Sequence, residues 1–448
     1  MHKDDKIDES KEVKRLEKAL ESTLPKIRIE QLLLEVDQMT RFSRHFVPIH
    51  QQQNLPKKFY KTLLASIIAQ ATNIGVVAMH NCVTDITIDM MRYVNNTCIR
   101  EETIKAANAE IVNRHTKLPL SLLHGTGELS SSDNQLFGIT ASSLIASIYP
   151  KYFGYYEKTV GVYTHTSDQS SVYGAKAISC VPRESLYVLD GLLENDTLLE
   201  IKEHTTDTGG YTEHIFALCY LLGYEFMPRI KDLKDQQLYR VYRNQDYGEL
   251  NSLLNKSANI EIVAEQWDQI TKVATSLKQR LTPANEIVRR LVKGSPSDRL
   301  AKAFTNLGRI IKTEYILRYL TTLGLRRKIQ RQLNKGEHRH SLARWVFFAH
   351  QGEFQTGDYE EIMNKASCLS LVSNAILYWN TIHISRIVEQ LRAQGQKIDD
   401  EDLSHISLLI YKHFIPMGSY FLVNAHLYDD SKAVIMPKVA VSNKNYSS

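Results

Sequence analysis

Cysteine is scarce in this 448-residue chain. There are five, Cys82, Cys98, Cys180, Cys219 and Cys368, an odd number with no C-x-x-C pair. That spacing excludes a disulfide-built scaffold, argues against a zinc ribbon and fits a reducing compartment. Long apolar runs are also missing. The greasiest stretch, residues 63–83, is interrupted by Gln70, Asn73, His80 and Asn81, so it reads as buried helix and not as a membrane span. The first twenty residues hold six basic and six acidic side chains and no apolar segment, so they do not read as a secretory leader. No internal repeat or long low-complexity tract interrupts the chain. Neither sign of charge dominates: the net charge is +5, which permits an acidic partner without demanding one.

What is present is an ordinary folding balance, 43% hydrophobic and 23% charged. The length exceeds one simple core and predicts two to four domains. Charge is concentrated locally. Residues 309–344 carry ten Lys or Arg against Glu314 and Glu337, a local excess of +8 that points to nucleic acid or to a solvated helix face. Hydrophobic spacing predicts helices over residues 1–60 and 57–117. The character changes near Pro119. Residues 119–137, with Gly125, Gly127 and a serine triplet, have strand-and-turn composition; residues 158–165, 174–181 and 198–206 read as strands, as does Tyr224 to Met227. The strand ending at Thr206 leads through Asp207 and Gly209–Gly210 into an apolar helix, residues 215–222. Beyond residue 231 the β signal nearly vanishes. The chain after about 422 has weak periodicity and is expected to be poorly ordered.

Three acids stand out by context. Asp133 follows the serine triplet, Asp207 precedes Gly-Gly, and Glu337 lies in Lys335-Gly-Glu-His-Arg-His340. Asp133 and Asp207 each fall where a strand is expected to end, and acids at adjacent strand ends can converge on a metal. On a helical wheel referenced to Ile329, Leu333, His340, Ala343 and Phe347 fall within about 40°, and Glu337 about 80° away, at the edge of the buried stripe. Read alone, Asp133 is equally a cap or turn residue, Asp207 a turn Asp and Glu337 a surface helix acid. His338 and His340 flank Glu337, and His204 and His214 flank Asp207, but no H-E-x-x-H or Cys/His spacing supports zinc. Gly125-Thr-Gly127 is too short for a phosphate loop. Trp267, Trp345 and Trp379 sit in apolar helical patterns and are expected in the core.

These three acidic neighbourhoods resemble the triad of the Tn3 family of replicative, cointegrate-forming transposases. The resemblance runs from about Lys26 to Leu422 and includes Arg100-Glu-Glu-Thr, Leu189-Asp-Gly-Leu-Leu, Phe216-Ala-Leu-Cys, Pro228-Arg-Ile-Lys-Asp-Leu-Lys-Asp and Trp379-Asn-Thr. Spacings of 74 residues from Asp133 to Asp207 and 130 from Asp207 to Glu337 fit the family arrangement. The resemblance implies an α/β catalytic core of RNase H-like type, a mixed sheet flanked by helices, within a mostly α-helical chain. It divides the chain into a helical region (1–118), the first part of the core (119–230), a helical insertion (231–325), the Glu-bearing helix (326–360), closing helices (361–421) and a tail (422–448). It implies a DDE-type nuclease and strand transferase in which Asp133, Asp207 and Glu337 hold two magnesium ions, with manganese as an alternative. Lys335, Arg339 and Arg344 are then expected on phosphates flanking the scissile bond. Expected partners are transposon-end and target DNA, a second copy in a homodimer, and a full-length transposase, in a cytoplasmic, nucleoid-associated setting with no membrane. Two departures stand out. Asn134 replaces the glycine usual after the first Asp. The family's end-recognition domains precede this region, so the chain reads as truncated, and a non-catalytic DNA- or partner-binding remnant is the competing expectation.

Overall fold

The computed structural model describes residues 11–49, 58–149, 154, 156–181, 184–295 and 297–422. The expected tail from 423 onward lies outside the described residues. Among the described residues seven α-helices come first: α1 (Lys11–Thr23), α2 (Ile29–Thr40), α3 (Phe59–Ala71), α4 (Val76–Cys82), α5 (Ile88–Thr97), α6 (Glu101–His115) and α7 (Pro119–His124). The stretch read as buried helix is α3 and α4; α3 is buried along almost its whole length, but in α4 only Met79 is buried, so the reading holds for α3 alone. A six-stranded sheet follows: β1 (Leu129–Ile139), β2 (Ser147–Ile148), β3 (Lys158–Ser167), β4 (Val172–Ile178), β5 (Glu203–Thr206) and β6 (Glu225–Phe226). Helix α8 (Val188–Leu193) precedes β5, and α9 (Glu213–Leu222) joins β5 to β6. The later helices are α10 (Ile260–Glu265), α11 (Trp267–Lys278), α12 (Ala284–Val292), α13 (Arg299–Thr321), α14 (Leu323–Val346), α15 (Tyr359–Ala393) and α16 (Asp400–His405). Two further two-stranded ladders pair Ile27–Arg28 with Phe414–Ile415 and Tyr239–Arg240 with Lys256–Ser257.

The sheet runs β2-β3-β1-β5-β6, with β4 also on the outer edge of β3. β1, β3 and β4 pair antiparallel; β5 lies parallel to β1 and β6 parallel to β5. Antiparallel neighbours need only a short turn, here Asp168–Ser171 between β3 and β4. The parallel step from β5 to β6 needs a crossover, which α9 supplies. Both faces of the sheet are covered, so its middle strands read apolar or small and not strictly alternating.

The pleat sends alternate residues into two cores. Phe137, Ile139, Val160 and Val162 join α2, α3 and α15, together with Leu342, Ala343, Val346 and Phe347 at the end of α14. Tyr163 and Ile178 join the other cluster, with α8, α9 and residues of α10–α13. Residues on both sides of position 230 therefore share one apolar cluster. Helix α14 lies against the first face: Phe137 meets Phe347 edge-on at 5.2 Å, and Gln332 donates to Ser131 Oγ and to the Thr166 carbonyl. Of the three tryptophans only Trp379 is core, at 1% exposure; Trp267 and Trp345 are 44% and 37% exposed. Trp345 lies tilted beside Tyr411 and donates its indole N–H to the Phe414 carbonyl, so it is an amphipathic ring at a stripe's edge and not a core one.

Candidate metal centre

Asp133 lies in the middle of β1, not at its end. The strand runs on for six residues to Ile139, paired with β3 throughout, including Asp133 with Thr164. The serine triplet that suggested a turn is strand: Ser130 and Ser132 bond both nitrogens of the buried His204 at 2.8 Å each, which makes small polar residues fit a closed sheet interior. Asn134 is likewise in extended strand and not in a left-handed turn. Its side chain occupies the space over Gly161 on the facing strand, where an added Cβ would sit 2.3 Å from Asn134 Oδ1.

Asp207 follows the last residue of β5. The parallel register pairs Ser132 with Thr206, and one more step along each strand sets Asp207 level with Asp133. The turn after it is closed by Gly210 N–H donating to the Asp207 carbonyl, and Thr212 then caps α9 by accepting from Ile215 N–H. Arg229 Nη1 stands 3.8 Å from Asp207 Oδ1. Glu337 projects from α14 with 74% of its side-chain surface exposed.

Asp133, Glu337 and His340 each turn one donor atom into a space where all three lie within 4.8 Å of one another. His340 Nε2 is 3.9 Å from Asp133 Oδ2 and its Nδ1 is 3.9 Å from Glu337 Oε2. Asp207 stands outside this tight group but acts on it by charge. Burial, then the charge of Glu184, then those of Glu337 and Asp207, push the Asp133 carboxyl up to about 7, against the opposing Asn134 N–H. Part of that side chain, 28%, still faces the open side. Glu184 is itself pushed up, by burial and by Asp207, and its carboxylate lies 3.5 Å from where a side chain at Gly209 would begin.

The expected phosphate contacts divide three ways. Arg339 has no exposed surface and donates to Gln135 Oε1, so a direct DNA contact is replaced by a buried charge near Asp133. Lys335 is half-buried, its ammonium donating to the carbonyls of His124 and Asp168, and burial lowers its pKa to about 8. Arg344 is exposed. His340 and Glu184 were missed as site residues. The signal for His340 was available: it lies three positions after Glu337 on one helix, where side chains meet. Nothing local in the sequence marks Glu184.

An acid inside a strand, another beyond the end of its parallel neighbour and a third on a helix crossing the same sheet form a candidate centre for divalent cations. The chain belongs to the family described as the Tn3 transposase DDE domain, which matches residues 31–420. It is 39% identical over 398 residues to the transposase for transposon Tn2501 of Escherichia coli, covering 89% of this chain and 40% of that protein. It is 38% identical to the transposase for transposon Tn501 of Pseudomonas aeruginosa, covering 91% and 41%, and 35% identical to that for Tn1546 of Enterococcus faecium, covering 92% and 42%. The chain thus spans about two fifths of the length of these relatives. Among the described residues no helix is long and apolar enough to cross a membrane.

Proposed function

We propose that this chain is the catalytic region of a DDE transposase, cutting DNA at transposon 3′ ends and joining the freed ends to target DNA. The observation that carries the reading is the meeting of Asp133 and Glu337, remote in sequence, with donor atoms within 4.8 Å of each other and of His340. The strand order is compatible with it: antiparallel β1, β3 and β4, with the short β2 also antiparallel on β3, are extended by the parallel β5 and β6, as an RNase H-like core would require, and mainly helical chain lies between β6 and α14.

The donor set fits hard divalent cations such as magnesium or manganese, because it is rich in carboxylate oxygen. Two such ions, when bound, supply a deprotonated attacking oxygen and relieve charge on the phosphate. Asp133, between the other two acids, would hold both ions, with Asp207 and Glu337 each on one side. Arg229 orients the Asp207 carboxylate, and the buried Arg339 offsets part of the Asp133 charge. In the first step water oxygen bonds to phosphorus, giving up a proton, and the 3′ oxygen leaves and is protonated to the transposon 3′-OH; in the second that hydroxyl oxygen bonds to a target phosphorus, giving up its proton, and the target strand's own 3′ oxygen leaves and is protonated. Exposed Arg344 would contact a flanking phosphate, and a second copy would bring the other transposon end.

The test is nicking of supercoiled plasmid by the purified chain with magnesium or manganese. Asp207→Ala should reduce the rate by at least about a hundredfold, given the several kcal/mol that metal stabilisation supplies. Nicking that persists unchanged in a folded Asp207→Ala chain would overturn the reading.

A further inference from the structure

We propose that His340 is a direct metal ligand, making this a mixed nitrogen–oxygen site that favours a transition-metal dication such as manganese over magnesium. The inference rests on the reading of the acids as metal-holding and adds a residue to it. His340 is 8% exposed, and its Nε2 is buried with no hydrogen-bond partner. A buried polar atom is rarely left so, because its lost hydration goes uncompensated. That atom faces Asp133 Oδ2 at 3.9 Å, too far for a hydrogen bond. The spacing suits a shared ion instead. Ligands about 2.1 Å from one cation stand about 3.0 Å apart when adjacent and about 4.2 Å apart when opposite. The separation of His340 Nε2 from Asp133 Oδ2, 3.9 Å, falls in that window, and one donor atom from each of Asp133, Glu337 and His340 lies within 4.8 Å of the other two.

The ring is held in place. Gln135 on β1 donates its Nε2 to the His340 carbonyl at 3.0 Å, fixing this turn of α14 against the strand that carries Asp133. Imidazole is a poorer partner for magnesium than for first-row transition metals, so a nitrogen in the set shifts selectivity toward the latter.

The experiment is pulsed electron paramagnetic resonance of manganese(II) bound to the full chain, with titrations of manganese and magnesium. Wild type should show nitrogen-14 coupling to the ion. His340→Asn and His340→Gln should lose it and bind manganese about tenfold more weakly, with a smaller loss for magnesium. His338→Asn, altering the exposed neighbour, should keep the coupling. Manganese binding that disappears in Asp133→Asn yet shows no His340-dependent nitrogen would overturn this inference and leave the acidic site standing. No manganese binding in wild type would overturn both. Two His340 variants with native circular dichroism guard against a loss caused by misfolding.

Discussion

At the scale of single residues, Asp133 carries the sharpest consequence. A carboxyl buried beside Glu184, Glu337 and Asp207 has a folded-state pKa of about 7, above its ordinary 3.8. Between those values the folded chain binds more protons than the unfolded one, so stability falls as pH rises through the window. Below about pH 4 both states are protonated there and the penalty is absent; above about pH 7 it is complete. Asp133→Asn removes the ionisation. In chelator, the variant should therefore match wild type near pH 3 and exceed it by up to about 4 kcal/mol at pH 8. Urea unfolding across that range measures it. A gap between the two that stays constant with pH would show that Asp133 is not an ionisable group under strain. The same residue shows what spacing conceals: a serine triplet before an acid has the composition of a turn, and only the buried His204 beneath it explains why these serines continue a strand.

At the scale of elements, the link between the site and the insertion is the α9–α13 contact. Gly308 on α13 lies against the start of α9, where an added Cβ would fall 1.8 Å from the Glu213 carbonyl oxygen. Helix α9 begins six residues after Asp207, so its position sets the turn that carries that acid. Gly308→Ala must drive the helices apart, and overpacking of this kind costs about 1–3 kcal/mol. The expected result is a lower urea midpoint together with weaker manganese binding, because the Asp207 turn moves with α9. A variant as stable as wild type would mean that the two helices slide freely. The elements themselves were legible where periodicity was strong. The strand at 158–165, the part of 174–181 up to Ile178, the β5–α9 unit and the buried stripe through Ile329, His340 and Ala343 follow from spacing, whereas residues 119–124, read as strand and turn, form helix α7, which Pro119 opens at its first turn. The site was legible only in part, because convergence depends on register and packing. Nothing in local sequence says that Asp207 lies level with Asp133, or that Arg339, one residue from His340, points into the interior.

At the scale of the whole molecule, the basic segment 309–344 presents far less charge to solvent than its composition suggests. Lys312 pairs with Glu213, Arg318 with Glu225 and Lys328 with Glu203, so acids of the β5–β6 region neutralise much of the excess. Lys335 and Arg339 are turned inward. Exposed Arg327, Arg331 and Arg344 remain along α14, and Arg344 lies on the same helix as Glu337, two turns further on. Each arginine that neutralises one phosphate steepens the logarithmic dependence of DNA affinity on salt by about 0.9. Arg344→Ala should therefore weaken duplex binding at low salt and flatten that slope by about 0.9, with no change in stability because the side chain is exposed. Arg339→Lys should leave the slope unaltered, since no phosphate reaches that position. Fluorescence anisotropy on one labelled duplex, from low to moderate salt, separates the two. A slope untouched by Arg344→Ala would place the DNA path on another face and leave Glu337 to be approached from the β5–β6 side.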